Sequence, residues 1–142
     1  MKKIVVSVLL ILIALLVVSC RSIGEITDQT FERIYDRYSD RLILDGATSY
    51  TVESGDSLSR ISYAKYGEPF YYPLIMLASR EIVLDPDRIQ PGMVLTIPDL
   101  QANIERARPV VRGTLNDFVP IERARRGDVP ASRMQELADR YR

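Results

Sequence analysis

The stretch Ser49-Tyr50-Thr51-Val52-Glu53-Ser54-Gly55-Asp56-Ser57-Leu58, read with Asp85-Pro86-Asp87 and with Pro91 to Pro98, decides the fold. Ser49 to Val52 is rich in β-formers and predicts a short strand. Gly55-Asp56-Ser57 is a turn, and Asp56 or Ser57 can cap a helix. Leu58, Ile61, Ser62 and Lys65 then fall at helical spacing, and Gly67 suits a left-handed stop. Pro69 and Pro73 bracket Phe70-Tyr71-Tyr72, and a second helix opens at Pro73 with Leu74, Ile75, Leu77 and Ala78 as its apolar residues. A loop runs through Ile82, Leu84, Asp85-Pro86-Asp87 and Ile89 to the Pro91-Gly92 turn. Val94, Leu95, Thr96 and Ile97 form the second strand, closed by Pro98. The order strand, helix, helix, strand within about 50 residues predicts an α+β module. Its two strands pair antiparallel, and both helices lie on one face.

That order and those residues resemble the LysM domain. The matching pieces are Tyr50-Thr51-Val52, Gly55-Asp56-Ser57-Leu58, Ile61, Tyr66-Gly67, Asp85-Pro86-Asp87, Ile89, Pro91-Gly92 and Leu95-Thr96-Ile97-Pro98. The resemblance implies a βααβ fold and a ligand that is a glycan containing N-acetylglucosamine, such as peptidoglycan or chitin. It places that ligand in a shallow groove between the first strand–helix loop and the loop before the last strand. Carried onto this chain, the groove residues are Gly55, Asp56, Ser57, Leu58, Ser79, Ile82, Val83, Leu84 and Pro86. Two positions depart from the family pattern: Ser79 stands where the second helix usually continues into Asn, and Met93 follows Pro-Gly in place of Gln. A sugar ring needs donors, acceptors and a small apolar wall. Gly55 leaves backbone amides open to an acetamide, and Ile82 and Leu84 supply apolar surface. Each has a plainer reading too: Asp56 as a helix cap, Asp85-Pro86-Asp87 as a turn, Ile82 and Leu84 as core.

Outward from the module, the N-terminus is a second signal. Lys2 and Lys3 precede the apolar run Ile4 to Val18, 15 residues long. That is a signal-peptide core, short of the ~20 residues that span a bilayer. The run ends at Val17-Val18-Ser19-Cys20, and Cys20 is the only cysteine. A small residue before a cysteine at the end of such a core resembles the bacterial lipoprotein box. The resemblance implies a diacylglycerol on the Cys20 sulfur, cleavage between Ser19 and Cys20, and acylation of the new amine. Each buried methylene contributes ~0.8 kcal/mol, so two or three chains hold where one exchanges. An incidental thiol after an ordinary signal peptide, or a short uncleaved anchor, are the competing readings.

The predicted organisation is a lipoprotein signal peptide over 1–19, the lipidated cysteine and a partly helical spacer over 20–48, the LysM-like domain over 49–98, and a helical C-terminal region over 99–142. In the spacer, Phe31, Ile34, Tyr35, Tyr38 and Leu42 recur at three- and four-residue steps among charges. Thr27 or Asp28 starts that helix and Asp45-Gly46 stops it. The stripe predicts packing against the module. The C-terminal region holds nine arginines, no lysine and seven acids. Leu100, Ile104, Ala107, Val111, Leu115 and Phe118 recur at helical steps, and Pro109 divides the pattern. Gly127 breaks the chain. A last helix then starts within Asp128 to Pro130 and carries Met134, Leu137, Ala138 and Tyr141 on one face.

Composition narrows the function. Lys+Arg and Asp+Glu both count 19, so no net charge steers the chain to nucleic acid. There is no histidine, which excludes His-based triads and His-ligated metal. One cysteine excludes an internal disulfide. No catalytic residue, metal or cofactor is expected. A cell-wall hydrolase would need a second domain large enough for a cleft. The expectation is therefore a non-enzymatic protein on the cell membrane or outer membrane, facing the periplasm or wall, with peptidoglycan as its partner. The alternative is an envelope scaffold that binds a protein through the module and the tail at 99–142.

Overall fold

A computed structural model describes residues 29–142; the signal-peptide core, Ser19, Cys20, Thr27 and Asp28 lie outside the described residues. The module has the predicted order. Strand β1 (Thr48–Thr51) is followed by helix α2 (Leu58–Tyr66), a 3-10 turn over Pro69–Tyr71, helix α3 (Tyr72–Ala78) and strand β2 (Val94–Ile97). The strands pair antiparallel with Thr48 opposite Ile97 and Thr51 opposite Val94. Two more bonds, Val52 N–H to the Met93 carbonyl (2.8 Å) and Gly92 N–H to the Val52 carbonyl (2.9 Å), carry the pairing into the turn.

Local chemistry sets the helix ends. Ser57 is extended and its hydroxyl accepts from the Arg60 amide, so Ser57, not Asp56, caps α2. The helix stops on Gly67 at φ 74°. Glu68 caps the 3-10 turn, and Pro73 sits in the first turn of α3, where its missing N–H costs nothing.

Helices flank the module. Residues 29–38 are helical (α1), and Phe31, Ile34, Tyr35, Tyr38 and Leu42 are all buried. After β2 come α4 (Leu100–Arg106), α5 (Arg108–Arg126) and α6 (Asp128–Asp139). The break at Ala107 places Pro109 in the first turn of α5, as the pattern predicts. Pro120, however, lies inside α5 without ending it. Its ring faces solvent, while Phe118, Val119 and Glu122 around it are buried. Packing of that inner face outweighs the ~3 kcal/mol that an internal proline costs.

Arg33–Arg142 is one compact unit. Its core is shared by module and tail. Phe70, Tyr71 and Tyr72, the aromatic loop between the module's helices, are buried. Tyr72 meets Phe118 of α5 edge to face at 5.8 Å between ring centres, Tyr71 hydrogen-bonds Tyr141, and Arg133 of α6 lies over the Phe70 ring. Asn103, fully buried, joins α4 to the segment before β1. Its Oδ1 accepts from the Ile43 amide and its Nδ2 donates to the Ile43 carbonyl, both at 2.8 Å. One side chain thus satisfies two backbone groups that no strand would pair.

Candidate functional site

The first groove segment is a self-braced turn. Asp56 Oδ2 accepts from the Tyr50 hydroxyl and from the Glu53 amide, both at 2.8 Å. The Glu53 amide first, and then the Tyr50 phenol, hold the Asp56 carboxyl below the usual carboxylate range. The Tyr50 phenol is pushed up in turn, chiefly by its bond to Asp56. Arg60 Nη1 donates to the Gly55 carbonyl at 2.8 Å. Gly55 is exposed at φ 89°, and a Cβ there would meet nothing within 4 Å. Glycine is needed for the left-handed backbone, and it leaves the turn's surface bare. Leu58 is buried under the turn at 2% exposure.

The second segment alternates. Ile82 is 42% and Leu84 61% exposed, while Val83 between them is 2% exposed. Ile82 and Leu84 are therefore surface, not core, and form an apolar patch. Val83 and Pro86 are buried supports. Ser79 is also buried. Its Oγ accepts from the Thr96 amide at 2.9 Å and donates to the Thr96 carbonyl at 3.4 Å. Its own carbonyl accepts from the amides of Ile82 and Val83. Ser79 thus ties the end of α3 to β2 and starts the loop. The residue that departs from the family pattern organises the neighbouring backbone from within.

Of the nine predicted groove residues, Gly55, Asp56, Ser57, Ile82 and Leu84 reach the surface at least in part, and Leu58, Ser79, Val83 and Pro86 lie beneath it. The two segments make their polar contacts separately: the first within residues 50–60, the second with Thr96 of β2 and with elements outside the module.

Those outside contacts have no local sequence signal. The Tyr35 hydroxyl of α1 donates to the Val83 carbonyl, 48 residues away. Arg80 pairs with Asp36 at 3.3 Å and lies over the Tyr35 ring. From α5, Arg125 Nη2 reaches Asp85 Oδ1 at 2.7 Å and Asp87 Oδ2 at 3.4 Å. Arg126 reaches Asp87 at 3.5 Å. Asp85 also accepts from the Asp87 amide at 2.9 Å, which closes the predicted turn. Burial alone would push the Asp85 carboxyl up. The Asp87 amide and Arg125 outweigh it and hold the group below its ordinary range.

A separate cleft of about 420 Å³ lies at the other end of α2, lined by Gly46, Thr48, Lys65, Tyr66, Asp99 and Gln101 among others. It contains none of the predicted groove residues.

The geometry is that of a small βααβ module with a bare turn and an apolar loop, and residues 50–98 match the LysM family. This segment is a LysM domain. A LysM domain is a binding module, not a catalytic one, and such domains bind N-acetylglucosamine glycans such as peptidoglycan. The potassium binding protein Kbp of Escherichia coli O6:H1 is 48% identical over 50 residues, 35% of this chain and 34% of that protein. An uncharacterized protein of Deinococcus radiodurans is 47% identical over 53 residues, 37% of this chain and 20% of its own. Esterase Rv1288 of Mycobacterium tuberculosis is 44% identical over 57 residues, 40% of this chain but only 12% of the esterase, a LysM-sized piece. The chain thus spans about a third or less of the length of these relatives. No solved structure matches the chain.

Proposed function

We propose that this is an exported, lipid-anchored envelope protein whose LysM domain binds peptidoglycan and so links a membrane to the cell wall. One observation carries the glycan half: in the LysM domain, Ile82 and Leu84 stand exposed on the loop where the family resemblance would put the sugar. An apolar pair beside polar backbone suits the faces and substituents of an N-acetylated pyranose. A shallow surface of this kind buries little area, so one module binds weakly. Sustained attachment then depends on the second tether, the lipid on Cys20, which holds the module at high effective concentration near the wall. The lipid half rests on the Lys2-Lys3 start, the apolar run and the sole cysteine at its end.

A scaffold that binds a protein through the module would draw on its aromatic loop, Phe70-Tyr71-Tyr72. Their burial against α5 and α6 leaves that loop little to offer a partner, which favours the glycan reading.

The test is to incubate the full chain, purified in detergent, with insoluble peptidoglycan. The protein is expected in the pellet, and soluble N-acetylglucosamine oligomers should release it. A folded sample that stays in the supernatant would defeat the proposal.

A further inference from the structure

Outside the module, the feature that bears most directly on the groove is the contact of α5 with the loop Ser79–Asp87. A loop whose exposed members are Ile82 and Leu84 has a physical problem. Both side chains are largely open to water, and that exposure favours collapse onto the nearest surface. The loop is nevertheless fixed at three points. Ser79 is bound to β2, the Val83 carbonyl accepts from Tyr35, and Asp85 and Asp87 are gripped by Arg125. The Arg125 side chain is 22% exposed and the Asp85 side chain 17%, so this ion pair is screened less than a surface pair. Both contacts come from one nitrogen, Nη2, so a single positive group on α5 ties the two carboxyl groups across the turn to one point.

We propose that Arg125, which lies outside the LysM domain, is a positioning residue for its glycan loop: it holds Asp85 and Asp87 so that Ile82 and Leu84 stay presented to a sugar ring. This rests on the glycan reading above. The helical tail then has a function within the binding site itself. It pre-organises a loop that the module alone would have to order at the moment of binding.

The experiment uses the full chain in detergent and the β-1,4-linked tetramer of N-acetylglucosamine. Titration calorimetry gives affinity, and amide hydrogen exchange reports on residues 79–88. Arg125→Gln is expected to lower affinity about tenfold and to speed exchange in 79–88 while exchange in β1 and α2 is unchanged. Arg125→Lys, which keeps the charge, should recover much of the loss. Asp85→Asn, acting from the loop side, should reproduce the Gln phenotype if the helix-side variant folds poorly. Wild-type binding with Arg125→Gln and Asp85→Asn both within about twofold of it would overturn this inference alone. So would a tenfold loss with exchange in 79–88 unmoved. No binding by the wild-type chain would instead remove the glycan reading on which the inference stands.

Discussion

The phenol of Tyr72, in the first turn of α3, donates to Oε1 of Glu122 in α5 at 2.6 Å across 50 residues of sequence. Both groups are buried, at 1% exposure each. Among the described residues Glu122 Oε2 has no hydrogen-bond partner, and the Arg126 guanidinium is 3.8 Å from Oε1. Tyr72 is therefore the main polar support of a carboxyl group enclosed between module and tail. Burial first, and then Glu122, push its own phenol far up, so it stays a donor at any ordinary pH.

Removing that hydroxyl should be expensive. Tyr72→Phe keeps the ring against Phe118 but strands Glu122, a loss of ~2 kcal/mol. Chemical denaturation would measure it, and a change below ~0.5 kcal/mol would contradict the assigned role. Because the bond joins module to tail, both parts should unfold in one transition. A tyrosine probe and far-UV circular dichroism should give the same midpoint.

A second prediction concerns close approach. In α5, a Cβ on Gly113 would lie 2.6 Å from the Tyr38 hydroxyl oxygen and 2.8 Å from Cε1 of the same ring. Tyr38 is buried, and its hydroxyl donates to Asp117 at 3.1 Å, so the ring cannot easily withdraw. Gly113→Ala should therefore destabilise, although alanine favours a helix by ~1 kcal/mol. Overpacking of ~1–3 kcal/mol outweighs it. The melting temperature should fall by several degrees; a rise would mean that Tyr38 moves freely.

How much of this was legible in the sequence depends on the range of each contact. The βααβ order, the Gly67 stop, the break before Pro109 and the restart after Gly127 all rest on residues within a few positions of one another and were readable, while the cap of α2 was readable only as Asp56 or Ser57. The stripes of α1 and α5 were readable as stripes. What they cover was not. Tyr35 to Val83, Arg125 to Asp85 and Asn103 to Ile43 join residues 40 to 60 positions apart, and no spacing rule connects such pairs. The groove was legible as a list of residues but not as inside and outside. Ile82 and Leu84 had no periodic pattern to separate wall from core, and Ser79 read as a missing asparagine when its hydroxyl works inside the fold.

Ser79 supports a third prediction. Ser79→Ala leaves the Thr96 amide without its acceptor and the end of α3 without its tie to β2. A cost of ~1–2 kcal/mol follows. Because Ser79 is beneath the surface, glycan binding by the folded fraction should change less than with Ile82→Ser/Leu84→Ser. That double change removes the exposed apolar pair, should leave the melting temperature nearly unaltered, and should weaken binding about tenfold or more. The opposite ranking in a titration would place the sugar elsewhere than on this loop.

The last prediction concerns the anchor. Cys20 is twelve residues before Glu32, and the compact unit begins at Arg33. That length of chain spans at most ~40 Å even when fully extended. A lipid on Cys20 would therefore keep the LysM domain close to the membrane and confine its glycan contacts to the nearest layer of wall. Cys20→Ser should move the protein from the membrane fraction to the soluble fraction while leaving its affinity for N-acetylglucosamine oligomers unchanged. Co-sedimentation with intact envelopes should fall because one of two linked attachments is gone. Unaltered membrane fractionation of Cys20→Ser would show that the apolar run, and not a lipid, holds the chain.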